Sequence, residues 1–151
     1  MTLFDRLSPE SRHRRFLSPK PTLGPRELTY LTEIDHCHHE AIAAIDERDG
    51  SILGTARYVR HDSRENVAEV AIEVVDELHR MCIGSTLAGL TIQRARTNGV
   101  TLLTATTLWD NRAARALLAQ HGFRAVERHR GEIEYELVLE PLTPASTASA
   151  C

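Results

Sequence analysis

"VVDELHRMCIGSTLAGL" occupies residues 74–90, and its reading decides the fold. The first residues are apolar and β-branched, the last carry apolar side chains at helical spacing, and a short polar stretch joins them. Ile83, Leu87, Leu90, Ile92 and Ala95 continue the helical pattern and Asn98-Gly99 ends it, which predicts a helix over 83–98. A strand that runs straight into a helix gathers free backbone N–H groups at one point. The helix dipole adds about half a positive charge there. Pyrophosphate suits such a place, and glycines help by letting the backbone come close. This loop keeps only Gly84, with Cys82 where a second glycine is expected. By pattern alone it fits an ordinary strand-to-helix connection better than an anion site.

Working outward, "VAEVAIEVVD" (67–76) is the strand that feeds the loop, and "VTLLTATTL" (100–108) is the strand after its helix. "NRAARALLAQHGF" (111–123) reads as a second long helix closed by Gly122, followed by a hairpin of 123–129 and 132–140 around Gly131. Upstream, "EAIAAIDE" (40–47) and "SILGTARYVR" (51–60) are strands joined by a turn at 48–50, and "HDSREN" (61–66) is a polar loop. Two short helices open the chain, one capped by Ser8 with Pro9 at its first position, the other over 25–34. Hairpins plus two late crossover helices predict one mixed α/β domain over 1–140, and the small polar tail 141–151 is expected to be disordered.

Apolar residues make up 42% and charged residues 26% of 151 positions, which fits a globular domain large enough for a real core. The 18 basic and 21 acidic residues leave a formal charge of −3, and aromatics are 5%, so nucleic-acid binding is disfavoured. Three scattered cysteines suggest no disulfide framework. With no signal peptide and no membrane-length apolar run, the expected compartment is the cytoplasm.

Several ordered motifs resemble the GNAT N-acetyltransferase superfamily. Its cofactor loop pattern, Gln/Arg-x-x-Gly-x-Gly/Ala, falls on His79, Arg80, Met81, Cys82, Ile83 and Gly84, followed by Ser85. "DNRAARALLAQHGF" (110–123) is similar to the family's Asn…Gly-Phe helix. "LSPESRHRRFLSP" (7–19) and "AEVAIEVVDELHR" (68–80) resemble the subgroup that includes bacterial protein lysine acetyltransferases. The likeness covers residues 4–138.

That resemblance implies a mostly antiparallel sheet flanked by helices, acetyl-CoA as cofactor and an amine acceptor, with a protein lysine expected. It implies cofactor contacts from the backbone of Ile72 and Val74, from the amides of His79 to Ser85, and from Asn111. It implies Glu69 as general base and Glu73 as a substrate-facing carboxylate. An amine near pH 7 is mostly ammonium and must lose a proton before it attacks a thioester. Period-two alternation puts Glu69, Ala71 and Glu73 on one strand face. By pattern alone, two carboxylates on a solvated sheet face is the stronger reading. The tyrosine that many family members use as an acid is Leu118 here. Substitutions in the loop make weaker cofactor binding an expectation, and a CoA-binding or protein-interaction module without catalysis is the alternative. No counterpart of the family's first strand precedes "LSPES", so a homodimer paired along an exposed edge is an expectation, and a longer natural chain is the alternative.

"DHCHHE" (35–40) packs three histidines and a cysteine together. Consecutive residues diverge along an extended chain and no second cluster completes a tetrahedral site, so no metal is expected. Arginines 6, 12, 14, 15 and 26 with Lys20 make the N-terminal segment basic, a pattern that a solvated helix face accounts for.

Overall fold

The computed structural model describes residues 3–19, 21–79 and 81–140. Lys20, Arg80 and the tail 141–151 lie outside the described residues. Six strands form one sheet in the order β1-β2-β3-β4-β6-β5. They are β1 (His39–Ile45), β2 (Ile52–His61), β3 (Arg64–Val74), β4 (Leu102–Leu108), β5 (Arg124–His129) and β6 (Glu132–Val138). Every neighbouring pair is antiparallel except β3 and β4. Four helices flank the sheet: α1 (Pro9–Phe16), α2 (Pro25–Thr32), α3 (Ile83–Thr97) and α4 (Arg112–Gln120). The mostly antiparallel mixed α/β sheet is therefore the one the sequence predicts.

Local chemistry explains the helix starts. Ser8 Oγ accepts the Ser11 N–H at 3.1 Å with Pro9 at the first helical position, and the Glu27 carboxylate accepts the Gly24 N–H at 2.8 Å to open α2. Asp76, just past β3, accepts the Ser8 N–H at 2.7 Å and binds the Ser11 hydroxyl, so α1 is tied to the end of β3. The core lies on one sheet face under α3 and α4. Tyr58, Ala68, Val70, Leu103, Ala105, Ile133 and Tyr135 meet Ile92, Ala95 and Leu118 there. Tyr58 is fully buried, and its hydroxyl accepts from Asn98 at 2.6 Å, which satisfies the one polar atom that burial would otherwise penalise.

One segment departs from expectation. The polar loop foreseen over 61–66 is a tight turn, because β2 runs to His61 and β3 begins at Arg64. His61 pairs with Arg64 while Arg60 pairs with Ala68, so 65–67 bulge out of the β2 ladder. The Arg60 guanidinium fills the gap, donating to the carbonyls of Cys37, Glu65 and Asn98.

The histidine-rich stretch is structural. The Asp35 carboxylate accepts the backbone N–H groups of Cys37, His38 and His39 at 2.8–2.9 Å. These bonds, the His39 amide first, hold its carboxyl at about 2. Buried Glu40 pairs with Arg94 and His36, each at 2.8 Å. Burial raises its carboxyl, but Arg94 and His36 outweigh that and hold it below the usual range. Both groups bind protons less readily folded than unfolded. Their contribution is therefore complete above the ordinary carboxylate range and is lost as pH falls, for Asp35 from 3.8 toward about 2. Thermal melts from pH 5 to pH 2 should show the midpoint falling, and Asp35→Asn should flatten that limb. An unchanged slope in the variant would remove Asp35 from the account.

Candidate functional site

The parallel pair at the centre of the sheet is short. Val67 pairs with Leu102, Ala68 with Leu103 and Glu69 with Thr104, and pairing then stops. Yet β3 continues to Val74 and β4 to Leu108. From Glu69 onward the two strands splay apart. The Val75 N–H donates to Leu53 at 2.9 Å, so by the two-residue alternation of an antiparallel ladder Glu73 bonds Thr55. The backbone groups of Ile72 and Val74 then face the other way, into the splay. Its floor is apolar, lined by Val70, Ile72, Ile92, Leu117 and Leu118.

The N-terminus of α3 stands beyond the open end of β3. The His79 N–H is used by Asp76 and the Met81 N–H by Leu78, while the first helical bond runs from Thr86 to Cys82. The amides of Cys82, Ile83, Gly84 and Ser85 precede that bond and have no acceptor within the helix. Cys82, the N-cap residue, offers no side-chain cap. Among the described amides of 79–85, these four are the ones left without a turn or helix acceptor. A Cβ on Gly84 would meet Val74 and Leu117 at 3.6–3.7 Å, so the helix start packs closely over the strand end and α4. The Ser85 hydroxyl joins this start to the end of α4 through His121 at 3.1 Å and Gln120 at 3.2 Å.

Glu69 sits at the apex of the splay, on the last paired rung, and its side chain is exposed. It borders a cleft of about 230 Å³ on the sheet face opposite the core, together with Arg15, Tyr30, Arg57, Arg60 and His61. Glu73 shares that face but is engaged, accepting from the Thr55 hydroxyl at 2.7 Å and lying 3.4 Å from Arg15. Asn111 caps α4, its side-chain oxygen accepting the Ala114 N–H at 3.1 Å.

The acetyltransferase (GNAT) family matches residues 8–123. The chain belongs to this family. Acetyltransferase Pat of Mycolicibacterium smegmatis is 34% identical over 136 residues, covering 89% of this chain and 40% of that protein. Acetyltransferase PA5475 of Pseudomonas aeruginosa is 31% identical over 121 residues, covering 79% of this chain and 64% of that protein. The chain therefore spans less than two thirds of either relative. Among solved structures, the GNAT domain of S. lividans PAT superposes with a TM-score of 0.82 at 24% identity, over 92% of this chain and 88% of that one. These matches agree with the bacterial acetyltransferase subgroup that the motifs resemble.

Against the GNAT pattern, the loop residues sit as follows. His79 Nε2 lies 3.1 Å from the Val74 carbonyl, covering one of the backbone groups in the splay. Met81 is exposed, and Arg80 lies outside the described residues. Cys82 is left-handed at φ 62, a conformation glycine adopts freely and an L side chain holds at a cost of about 1–2 kcal/mol. Cys82→Gly should therefore raise the thermal midpoint by roughly 1–3 °C, since the relieved strain is offset in part by unfolded-chain entropy. It should also tighten acetyl-CoA in calorimetry, and unchanged affinity would refute this reading of the loop. Leu118, at the tyrosine position, is buried in the floor of the splay.

Sequence reasoning did not single out Arg57 or Tyr30, and it weighed His39 only as part of the 35–40 histidine cluster. Arg57 faces Ala71 across the β2–β3 ladder and so shares the face of Glu69 and Glu73. Its Nη1 donates to the Leu31 carbonyl at 3.1 Å and lies 3.3 Å from His39 Nε2. Burial, then the Arg57 charge, holds His39 below its ordinary value, and its ring stacks on Tyr30 at 5.1 Å. The hairpin register was the signal that would have exposed Arg57, and the 65–67 bulge concealed it. Among the described residues no group of three His, Cys, Asp or Glu side chains can hold a metal, and no helix is long and apolar enough to cross a membrane.

Proposed function

We infer that this domain transfers an acetyl group from acetyl-CoA to an amine, with a protein lysine as acceptor. The observation that carries the reading is the three-rung seam. It opens at Glu69 into an apolar splay with a bare helix N-terminus beyond its far end. The residues fit the cofactor. The amides of Cys82 to Ser85 would hold its pyrophosphate, and the backbone of Ile72 and Val74 would meet its pantetheine arm. Acetyl-CoA, when bound, supplies the thioester carbonyl that the amine attacks. Glu69, exposed at the apex, takes the ammonium proton and leaves a neutral nucleophile. Backbone N–H groups aimed into the splay stabilise charge on the carbonyl oxygen without reorganising.

A second reading, a domain that binds a CoA species without transfer, is favoured by the strained Cys82 and by His79 over the Val74 carbonyl. Thermal shift with acetyl-CoA, followed by thiol release on a lysine peptide, separates the two. A shift with turnover supports the transferase and a shift without turnover supports the binding module. No shift removes both.

A further inference from the structure

The acceptor cleft carries more positive charge than an amine needs. Arg15, Arg57 and Arg60 line it, against the single lining carboxylate of Glu69, with Glu73 beside Arg15 and Arg57. Two of these cations differ from the rest. Arg57 is only 7% exposed, and its Nε is buried with no hydrogen-bond partner. Its other bonds go to neutral groups, the Leu31 carbonyl and the His39 ring. Arg15 Nε is buried too and lies 3.4 Å from Glu73 Oε2 in a long ion pair, while the other Glu73 oxygen accepts from the Thr55 hydroxyl. Arg60, by contrast, donates from all three of its nitrogens to backbone carbonyls. A buried guanidinium donor without an acceptor is costly, and guanidinium geometry matches a carboxylate.

Resting on the lysine-acetylating reading, we propose that Arg57, backed by Arg15, seats an acidic side chain two positions from the acceptor lysine. Arg57 lies diagonal to Glu69 in the ladder, so their Cα atoms are about 7–8 Å apart. Side chains two positions apart in an extended peptide share a face at about 6.6 Å, which matches that diagonal. The lysine amine then meets Glu69 while the neighbouring carboxylate meets the cleft-lining edge of the Arg57 guanidinium, with Arg15 beside it. This explains a basic cleft in an enzyme whose nucleophile starts as a cation: the peptide's acidic residue offsets the repulsion.

The test uses short blocked peptides with one lysine and either Asp or Asn two positions away. Calorimetry measures their binding and thiol release their turnover. The Asp peptide should bind roughly tenfold or more tightly. Arg57→Gln should bring the ratio close to one, Arg15→Gln should reduce it, and Arg57→Lys should keep part of it. If Arg57→Gln lowers the thermal midpoint, the Arg15→Gln ratio carries the test. Equal or unmeasurable binding of the two peptides overturns the proposal, as does a preference that survives in both Gln variants. An Arg57-dependent preference seen only for free lysine, through its own carboxylate, overturns the peptide source. A binding preference without turnover of either peptide sinks lysine acetylation and leaves the anion seat standing. Turnover of both peptides without preference does the reverse.

Discussion

Replacing Glu69 with Gln is expected to lower kcat for acetyl transfer by about 10²–10⁴, the usual range for removing a general base. The variant should fold, because Glu69 is exposed and no ion pair depends on it among the described residues. Its backbone rung to β4 stays intact. Thermal shift with acetyl-CoA should therefore be retained, which separates loss of chemistry from loss of binding. The deficit should shrink as pH rises toward the lysine range near 10.4, where more of the amine is already neutral. A kcat within a few-fold of the parent at pH 7 would remove Glu69 as base. Glu73→Gln makes a poor substitute for this test, since Glu73 holds Thr55, pairs with Arg15 and acts on the Arg57 charge.

The second large effect is structural. A Cβ on Gly54 would lie 2.8 Å from the Glu73 carbonyl oxygen, 3.1 Å from Val74 and 3.2 Å from Leu87. The nearest atom is backbone, so relief requires moving β2 away from the last residues of β3. Gly54→Ala should cost about 2–3 kcal/mol and lower the thermal midpoint by roughly 4–10 °C. The displaced residues border the splay, so acetyl-CoA should also bind more weakly. Gly89→Ala in α3 is the control of opposite sign. Its Cβ meets only His121 at 3.7 Å, and Ala is the better helix former by about 1 kcal/mol. Melts of the two variants moving in the same direction would contradict this packing.

The elements themselves were legible. Period-two runs gave the strands, and proline and serine marked the starts of α1 and α2. Ile83 opens α3 where the apolar periodicity begins. Contacts far apart in the chain left no local trace. Glu40 reads as one more strand residue, yet its burial depends on Arg94, 54 positions away. The 61–66 polarity looked like a loop because the bulge at 65–67 breaks alternation just before β3 takes up its continuous pairing with β2 from Ala68 and its rungs with β4. That bulge hid which β2 side chains share the face of Glu69. The left-handed φ of Cys82 was equally invisible, since a cysteine gives no sign of a position that favours glycine.

The three-rung seam also has a mechanical meaning. The sheet is two antiparallel halves, β1-β2-β3 and β4-β6-β5, stitched together at 67–69 and 102–104 and by the adjoining bond from the Thr101 N–H to the Asn66 carbonyl. A pantetheine arm lying in the gap would act as a surrogate strand and supply the rungs the polypeptide omits. Amide hydrogen exchange at 70–74 and 105–108 should then be the part of the sheet that slows most when cofactor binds. A ligand held there would complete the sheet as well as occupy it.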